Sequence, residues 1–554
     1  MGLNRHTAPS LPKFKYSIFS IILISYFIIL NVSFNVYKQR WGIDWGIPVE
    51  LIGGIGLVAL SVLIPRFSAA LRYLATAIIV LAVFFHLIDT AGRAIHGRRL
   101  DLVFDSAQFP HIIDLLAASL PVWLVWLGVV LVVLIIAAVL IVTGLAVSRM
   151  YGGLQSGLTH AVMPRTFSIF LIVVSILCVA DSNRLFAAKP VFTTAQGTGA
   201  ARYHVETLYL WVDDGRSALA KVTADRGGIR DRETTLPGLR DTDVILIFIE
   251  SYGASLYERE THLATLTGLY DRYGADFAEK NIHTASALMD SPTYGGLSWL
   301  AHLTLSSGAY LDRNLTYRAY LNSGLDTLQS ILHRTGHSTL LVKPGIKRFW
   351  PEGARLRFDR LDTAEDVPYA GPAFGYFAIP DQVSLAHLAA ELQAMRPAPA
   401  MARIDLISSH YPFRPLPPFL DDPAALTDPA AWQQAIDAQL GAEDWQDPVE
   451  GYRRAIAYTL ESVLDFVNRY TNDNDLVIVL GDHQPWRIVS GNLGGRATPM
   501  HLFSRNRALI DAFTASGYRA GLMPDTAAEP IPMQDFLPGL VRKFREKPTQ
   551  TAEK

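Results

Sequence analysis

The sequence predicts a two-part protein, in which an N-terminal unit of membrane-spanning helices precedes an α/β domain with a mostly parallel sheet. Long apolar runs fill the first third of the 554 residues. From about residue 241, short β-branched runs alternate with helical patterns instead. Half of the residues are hydrophobic and the mean hydropathy is +0.21. These values indicate a membrane part joined to a soluble part.

Charge and cysteine content exclude several classes of protein. The net charge of -2 gives no sign of a nucleic-acid binder. The one cysteine, Cys178, lies inside an apolar run. A disulfide framework and a cysteine-rich metal site are therefore both excluded.

Five apolar runs are long enough to cross a bilayer, which takes ~20 residues as a helix. A cleaved signal peptide is the alternative for the first run, but no small-residue cleavage site follows it and further spans do. The predicted spans are residues 16–36, 47–65, 70–90, 121–147 and 167–183.

Basic residues beside these spans predict the orientation of the chain, because they favour the cytoplasmic side. The opposite loop, residues 91–120, also carries three arginines, so the bias is incomplete. An odd number of spans with an inside N-terminus places the chain after about residue 185 outside the cytoplasm. The residues expected to be cytoplasmic are Arg5, Lys13, Lys15, Arg66, Arg72, Arg149 and Arg165.

The predicted domain boundaries follow from these patterns. Residues 1–185 form the membrane domain, 186–236 a juxtamembrane linker, 237–545 the α/β domain and 546–554 a flexible tail. Aromatic and apolar residues in the linker are typical of a segment along a membrane surface. A plain linker helix is the equal alternative. The residues concerned are Tyr203, Leu208, Tyr209, Leu210 and Trp211.

Chemically useful side chains follow the predicted strands of the α/β domain. Strands are expected at 241–253, 338–343, 402–408 and 475–481, and helices at 261–279, 321–335 and 450–470. Ligands of such sheets bind beyond the carboxyl ends of the strands. Glu250, His410 and the pair Asp482–His483 lie at such ends. Each alone could be a cap or a loop residue, but their joint placement is hard to explain by packing.

The segment 290–308 predicts a helix that Pro292 and two glycines open. A hydroxyl at that point would lie near a helix N-terminus, where backbone N–H groups favour a phosphate or other anion. Thr293 is the first choice for this hydroxyl and Ser291 the second. The alternative is that both residues only cap the helix.

The ordered set ESYG, a threonine at a helix start, SSHYPF and GDHQP resembles the alkaline phosphatase superfamily. More narrowly, it resembles the membrane-bound sulfatase-like transferases, which include lipoteichoic acid synthases and phosphoethanolamine transferases. The resemblance covers the whole architecture of spans followed by an extracytoplasmic domain. It implies a multi-pass protein of the bacterial cytoplasmic (inner) membrane, with its catalytic domain outside the cytoplasm.

The resemblance also implies a metal centre and a substrate pocket. Glu250, Thr293, Asp482 and His483 would hold one divalent cation, commonly Mn²⁺ or Zn²⁺, with Mg²⁺ possible. Carboxylate, imidazole and hydroxyl groups suit such ions. For Arg348 and Arg355, which the resemblance places at the substrate, a solvated basic loop is an equal alternative. His410 matches the position where the family places a catalytic histidine that binds the substrate or serves the leaving group. The implied substrate-contacting residues are His410, Trp350, Arg348 and Arg355.

Neighbouring families fit the sequence less well. Sulfatases need a Cys or Ser in a C/S-x-P-x-R context, and no arginine follows Ser291-Pro292-Thr293 in that register. Two-metal phosphatases need further ligands; Asp381 and His501 could serve, but nothing in the sequence requires them. Phosphoethanolamine transferases of the lipid A group carry several disulfides, which one cysteine cannot form. The chain therefore looks closer to the phosphoglycerol-transferring branch.

The expected reaction has two steps. Thr293 would attack the phosphorus of a phospholipid headgroup, releasing diacylglycerol and leaving a phosphothreonine ester. A hydroxyl of a glycan or glycolipid would then attack that ester. One alternative is a hydrolase of the same fold, with water as acceptor. An alternative of another class is a non-catalytic membrane sensor or scaffold.

Overall fold

The computed structural model describes residues 28, 30–35, 40–43, 46–96, 99–105, 113, 121–160, 163–182, 193–194, 196–213, 216–224, 226–346, 350–374, 378–439, 447–491 and 493–545. The chain divides into two compact units. The first comprises Met1–Ala94 with Arg98–Tyr209, and the second Ile95–Gly97 with Leu210–Lys554.

The first unit is mainly helical. Three helical segments of its described part are long and apolar enough to cross a membrane: Pro65–Arg93, Val122–Thr159 and Pro164–Asp181. Its strands are β1 Val32–Asn35, β2 Arg40–Ile43, β3 Ile47–Pro48 and β4 Thr193–Thr194. Its helices are α1 Val49–Leu63, α2 Ser68–His96, α3 Leu102–Asp105, α4 Val122–Thr159, α5 Pro164–Ser182 and α6 Gln196–Val212, the last of which runs on into the second unit.

The last three predicted spans, 70–90, 121–147 and 167–183, are confirmed as helices of membrane-spanning length. The predicted span 47–65 is the shorter helix α1, whose 15 residues extend about 22 Å. A bilayer core is ~30 Å thick, so α1 is shorter than a helix that crosses it at right angles, and it is not among the three described helices of spanning length. The predicted span 16–36 lies mostly outside the described residues, and its end forms strand β1, paired with β2.

Helix α1 packs tightly against α4 and α5 through small residues. A Cβ added to Gly54 would collide with Tyr151, and one added to Gly56 would collide with Ser175. The Ser175 hydroxyl donates to the carbonyl of Ile52 at 2.9 Å. Close approach of this kind is typical of helix packing in membranes, where small residues let backbones meet.

The described residues of the second unit form a nine-stranded sheet with helices on both faces. Its spatial order is β12-β6-β11-β10-β5-β9-β7-β8, with β13 beside β6. The strands are β5 Asp243–Ile249, β6 His283–Asp290, β7 Ser338–Lys343, β8 Arg360–Thr363, β9 Ala400–Leu406, β10 Asp475–Gly481, β11 Ala497–Ser504, β12 Arg519–Ala520 and β13 Ile531–Pro532. The helices are α7 Arg216–Thr223, α8 Glu260–Glu279, α9 Ser298–Ser307, α10 Asn314–Ser323, α11 Leu328–Thr335, α12 Asp381–Met395, α13 Pro429–Gln439, α14 Pro448–Tyr470, α15 Arg487–Ser490, α16 Arg507–Thr514 and α17 Phe536–Phe544.

The directions of strands β5 to β10 bring all of their carboxyl ends to one edge. Strands β10, β5, β9, β7 and β8 pair in parallel. Strand β11 is antiparallel to both β10 and β6, so β6 runs in the same direction as β10. The segments after β5, β6, β7, β9 and β10 therefore all start at the same edge. This confirms the predicted fold class, a helical membrane unit followed by an α/β domain with a mostly parallel sheet.

The central strand β5 shows why both faces of the sheet are covered. Ile245, Ile247 and Ile249 point into one hydrophobic cluster, with residues of α8, α12 and α14. Val244, Leu246 and Phe248 point into a second cluster, with residues of α9, α11, α16 and α17. Successive side chains of a strand alternate between faces, so a continuous apolar run needs two apolar partners.

Two helix predictions need correction. The segment predicted as one helix, 321–335, contains the end of α10 and all of α11, because Gly324 takes a positive φ of 76° between them. The helix predicted within 290–308 begins only at Ser298. Gly295, Gly296 and Leu297 all have positive φ, a conformation that right-handed helix excludes. Thr293 is therefore not at the helix start.

Two matched isoleucine substitutions test the packing of the sheet. Ile478 of β10 is fully buried, whereas Ile488 of α15 is 64% exposed. Ile478→Ala should lower the stability of the second unit by about 2–5 kcal/mol, because a buried cavity replaces lost contacts. Ile488→Ala should change it by less than about 0.5 kcal/mol. Thermal unfolding of the full chain in detergent would measure both, and equal midpoints would contradict the assignment of the core.

Candidate metal centre

Three predicted site residues meet beyond the carboxyl ends of β5 and β10. One ligand atom each from Glu250, Asp482 and His483 lies within 4.8 Å of the others. Nε2 of His483 is 3.3 Å from Oε1 of Glu250 and 3.8 Å from Oδ2 of Asp482. The three come together because β5 and β10 are parallel neighbours, with Gly481 opposite Ile249.

The backbone around the site fixes the two carboxylates. Oδ1 of Asp482 accepts from the backbone N–H groups of Ser251, at 2.8 Å, and His483, at 2.7 Å. Its other oxygen, Oδ2, is the one that faces the imidazole. The hydroxyl of Ser409 donates to the carbonyl of Glu250 at 2.6 Å, joining the ends of β5 and β9. Backbone hydrogen bonds thus hold Oδ1 of Asp482, whereas Oδ2 faces the candidate metal site.

The tautomer of His483 suits metal binding. Its Nδ1 lies 2.8 Å from the carbonyl oxygen of Gln484, which can only accept, so Nδ1 carries the donated hydrogen. In the neutral ring, Nε2 then presents a lone pair toward the carboxylates. Metal-binding histidines are commonly oriented by such a bond from their second nitrogen.

The electrostatics indicate a cluster with surplus negative charge. Burial and the charge of Glu250 raise the pKa of Asp482 above its ordinary range. Burial acts the same way on Glu250, but the charge and hydrogen bond of His483, with help from His410, hold the pKa of Glu250 low. Burial alone would lower the pKa of His483, yet the two carboxylates raise it to about 9. Protons thus neutralise this centre, and a divalent cation could take their place.

A fourth polar group in the centre is the hydroxyl of Ser298. Its Oγ donates to Oε2 of Glu250 at 3.0 Å and lies 3.2 Å from Nε2 of His483. Ser298 is the first residue of α9 and is partly exposed. The residue before it, Leu297, holds φ at 64°, a strained conformation for a bulky side chain. Non-glycine strain of this kind clusters at functional sites.

The predicted hydroxyls, Thr293 and Ser291, make other contacts. Oγ1 of Thr293 donates to the carbonyl of Gly296 at 2.5 Å, and the residue is 2% exposed. Oγ of Ser291 donates to the carbonyl of Asp482 at 2.6 Å, and this residue is fully buried. Both hydroxyls therefore hold the loop that leads to Ser298, which corrects their predicted placement at a helix mouth.

The predicted substrate-contacting residues lie at different places. His410 follows β9 and helps to hold the pKa of Glu250 low. Trp350 packs on the hydrophobic cluster that contains Leu300 and Leu303 of α9, and Lys343 lies 5.4 Å over its ring. Arg355 is exposed, whereas Arg348 lies outside the described residues.

A buried charged layer that the sequence did not predict lies below the centre. Asp405 forms a bidentate pair with Arg403, both bonds 2.8 Å long, and also pairs with Lys343. His302, one turn after Ser298 on α9, has Nδ1 3.4 Å from Asp405 and Nε2 3.8 Å from Asp482. Burial drives the pKa of His302 well below its ordinary value, so the ring is neutral. Lys343 and Trp350 are linked through this layer to a ligand of the centre.

The residues considered for a second metal have structural roles. The carboxylate of Asp381 accepts from the backbone of Ile407 and Ser408 and from the hydroxyl of Thr459, which anchors the loop before His410. Nε2 of His501 is 2.9 Å from the hydroxyl of Tyr252, inside a buried tyrosine cluster.

Asp362, His387 and Glu391 also place ligand atoms within 4.8 Å of one another. Arg360 binds both oxygens of Asp362, at 2.7 and 2.8 Å, and contacts Glu391, so this group is an ion-pair network.

Ser298 left a signal in the sequence that could have identified it. A serine just before apolar residues of helical spacing marks a helix start, and the pairs Leu300/Leu303 and Ala301/Leu305 have such spacing. The two glycines at 295 and 296 separate that start from Thr293. His302 had no comparable signal, because its approach to Asp482 depends on tertiary packing.

Comparisons with known proteins give similarities in structure alone. No protein-family model matches the sequence, and neither does any curated protein.

Lipoteichoic acid synthase LtaP from Listeria monocytogenes is 15% identical with a TM-score of 0.33, over 51% of this chain and 71% of its own. A protein in the alkaline phosphatase superfamily from Vibrio parahaemolyticus is 16% identical with a TM-score of 0.33, over 52% and 69%. The C-terminal periplasmic domain of phosphoethanolamine transferase EptC from Campylobacter jejuni is 12% identical with a TM-score of 0.33, over 56% and 91%. The second of these belongs to the superfamily that the sequence resembles. Identities of this size carry no information on substrate.

Metal affinity should rise with pH. The pKa of His483 is raised to about 9, so at neutral pH a cation must displace its proton. We expect Mn²⁺ affinity to increase by up to about tenfold per pH unit from pH ~7 and to level off above pH ~9. Calorimetric titration of the full chain in detergent would measure affinity and proton release. A pH-independent affinity without proton release would contradict the assignment of His483 as a ligand.

Proposed function

We propose that this chain is a metal-dependent transferase that moves a phosphate-linked headgroup from a membrane phospholipid to a hydroxyl of a glycan or glycolipid. The observation that carries the proposal is the position of Ser298, whose Oγ contacts both Glu250 and His483. A partly exposed hydroxyl, set against a carboxylate and an imidazole at a helix N-terminus, is the arrangement of an activated nucleophile. Ser298 therefore replaces Thr293 as the proposed nucleophile.

The donor set fits one divalent cation. Glu250, Asp482, His483 and Ser298 offer two carboxylates, an imidazole and a hydroxyl, a mixture that suits Mn²⁺ or Zn²⁺, with Mg²⁺ also possible. When bound, the cation would lower the pKa of the hydroxyl and stabilise negative charge on the phosphoryl group. The raised pKa values of Asp482 and His483 support this fit, because they indicate uncompensated negative charge.

The first step transfers the headgroup to the enzyme. Oγ of Ser298 forms a bond to phosphorus while the bond from phosphorus to the diacylglycerol oxygen breaks. The hydroxyl proton leaves toward Oε2 of Glu250, to which it is already donated, and the departing alkoxide gains a proton to become diacylglycerol. His410, close enough to influence Glu250, is the proposed donor of that proton. The first N–H groups of α9 face the anionic phosphoryl group.

The second step regenerates the nucleophile. The oxygen of an acceptor hydroxyl forms a bond to phosphorus and its proton passes to His410, while the bond from phosphorus to Oγ breaks and Ser298 regains its proton from Glu250. The helices of membrane-spanning length support a lipid donor, since they keep the chain at the bilayer. We propose phosphoglycerol as the headgroup, with phosphoethanolamine second, and a catalytic domain on the outer side of a bacterial cytoplasmic membrane. Trp350, with Arg355, is proposed to contact the headgroup.

Two hydroxyl substitutions distinguish the candidate nucleophiles. Ser298→Ala should reduce headgroup transfer by at least about 10³-fold and abolish the covalent intermediate, because the attacking atom is lost. Thr293→Ala removes only a bond to Gly296 and should retain transfer and the intermediate. Mass spectrometry of the chain after exposure to phospholipid would locate the modified residue and identify the headgroup from its mass. A modification at Thr293 that persists in Ser298→Ala would contradict the proposal.

A product assay separates the transferase from a hydrolase of the same fold. With phosphatidylglycerol as donor, we expect product only when a glycan or glycolipid acceptor is present, since the second step needs an acceptor hydroxyl. Release of free glycerol phosphate at an equal rate without acceptor would favour the hydrolase. A chain that neither forms the intermediate nor binds a divalent cation would instead fit a membrane scaffold.

A further inference from the structure

Helix α6 carries a stripe of exposed apolar side chains on one face. Val205 is 67% exposed, Leu208 50%, Tyr209 67% and Val212 74%. Their spacing of three, four and seven residues places them on a single side of the helix. These four residues, called the α6 stripe, exceed what scattered surface hydrophobics explain.

The opposite face of α6 holds the helix to the first unit. Ala200, Tyr203 and Thr207 are buried there. Arg99 donates to the carbonyl of Gly199 at 3.2 Å and lies 5.3 Å over the ring of Tyr203. The stripe is therefore not the surface by which α6 packs on its own unit.

A polar flank lies beside the α6 stripe. Arg202 and Glu206 form an ion pair of 2.8 Å, with 76% and 50% of their side chains exposed. Helix α4 differs, because it exposes apolar side chains along most of its length and is long enough to cross a bilayer. An apolar stripe next to a charged flank is typical of helices that lie in the plane of a membrane surface.

The depth of α6 follows from its contact with a membrane-spanning helix. The ring of His204 lies 5.0 Å from that of Phe85 in α2. Phe85 is eight residues before Arg93, where the apolar segment Pro65–Arg93 ends. That distance is about 12 Å along a helix. The helix therefore lies near the end of a span, where lipid headgroups meet acyl chains.

We propose that the α6 stripe is buried in the boundary between headgroups and acyl chains, so that α6 is an interfacial helix whose partner is the phospholipid surface. Lipid is the occupant because α6 contacts a helix of membrane-spanning length near the end of its apolar segment. The polar flank then faces water. This inference is independent of the metal centre and of the reaction proposed for it.

Site-directed spin labelling of the full chain tests this directly. The native cysteine is removed as Cys178→Ser, and one nitroxide is attached in turn at Val205, Leu208, Tyr209 or Val212 after substitution by Cys. Labels at Arg202 and Glu206 report the polar flank, and a label at Val130 of α4, 51% exposed, is the lipid-facing control. Each variant is reconstituted in phosphatidylcholine–phosphatidylglycerol vesicles, and collisions with O₂ and with a water-soluble nickel chelate are measured.

The stripe positions should collide more with O₂ than with the nickel chelate, as at Val130, and the ratio should reverse at Arg202 and Glu206. A thermal transition equal to that of the unlabelled chain would show that each variant is folded. Strong collision with the nickel chelate at the stripe would mean exposure to water and would overturn the proposal. Weak collision with both reagents would mean that protein covers the stripe, a second copy for example, and would overturn it equally.

Discussion

The parallel pairing of β5 with β10 is the constraint on which the site depends. Gly481 lies opposite Ile249 in the parallel register. The next residues of the two strands, Glu250 and Asp482, therefore lie next to each other. The same pairing lets the backbone N–H of Ser251 bind Asp482. Strand β9, the other parallel neighbour of β5, adds Ser409 and His410 at this edge. The sheet thus fixes the site before any loop is considered.

This pairing has an electrostatic cost that explains the character of the site. Two carboxylates enclosed by apolar strands repel each other, and burial removes the water that would otherwise screen them. His483 compensates in part, which is why its pKa is raised while that of Glu250 is lowered. In the ion-pair network, the buried carboxylate of Asp362 is compensated instead by the positive charge of Arg360. At Glu250 and Asp482 no described arginine pairs with either carboxylate, so protons on Asp482 and His483 balance the charge, and a divalent cation could take their place.

The sequence predicted the parts of the site that local patterns determine. Continuous β-branched runs mark buried parallel strands, so Glu250, His410, Asp482 and His483 could be assigned to strand ends. Ser298 follows no strand, so its only signal was its position before the apolar residues of α9. The positive φ of Leu297, which separates α9 from Thr293, cannot be read from a leucine in the sequence. The sequence also did not predict the layer of Arg403, Asp405 and His302. Charged side chains are usually exposed, and only the packing of β9 and α9 shows that these three are buried together. In the first unit, the length of the apolar run 47–65 overestimated the length of α1, because the helix ends before Pro65.

Anomalous scattering from crystals of the Mn²⁺-loaded chain would test the central claim most directly, because it locates the ion without any assumption about the reaction. We expect one anomalous peak within coordination distance of Glu250, Asp482 and His483, with Oγ of Ser298 as the nearest hydroxyl. A peak beside Thr293 in place of Ser298, at the Asp362 network, or no peak at the end of β5 would contradict it.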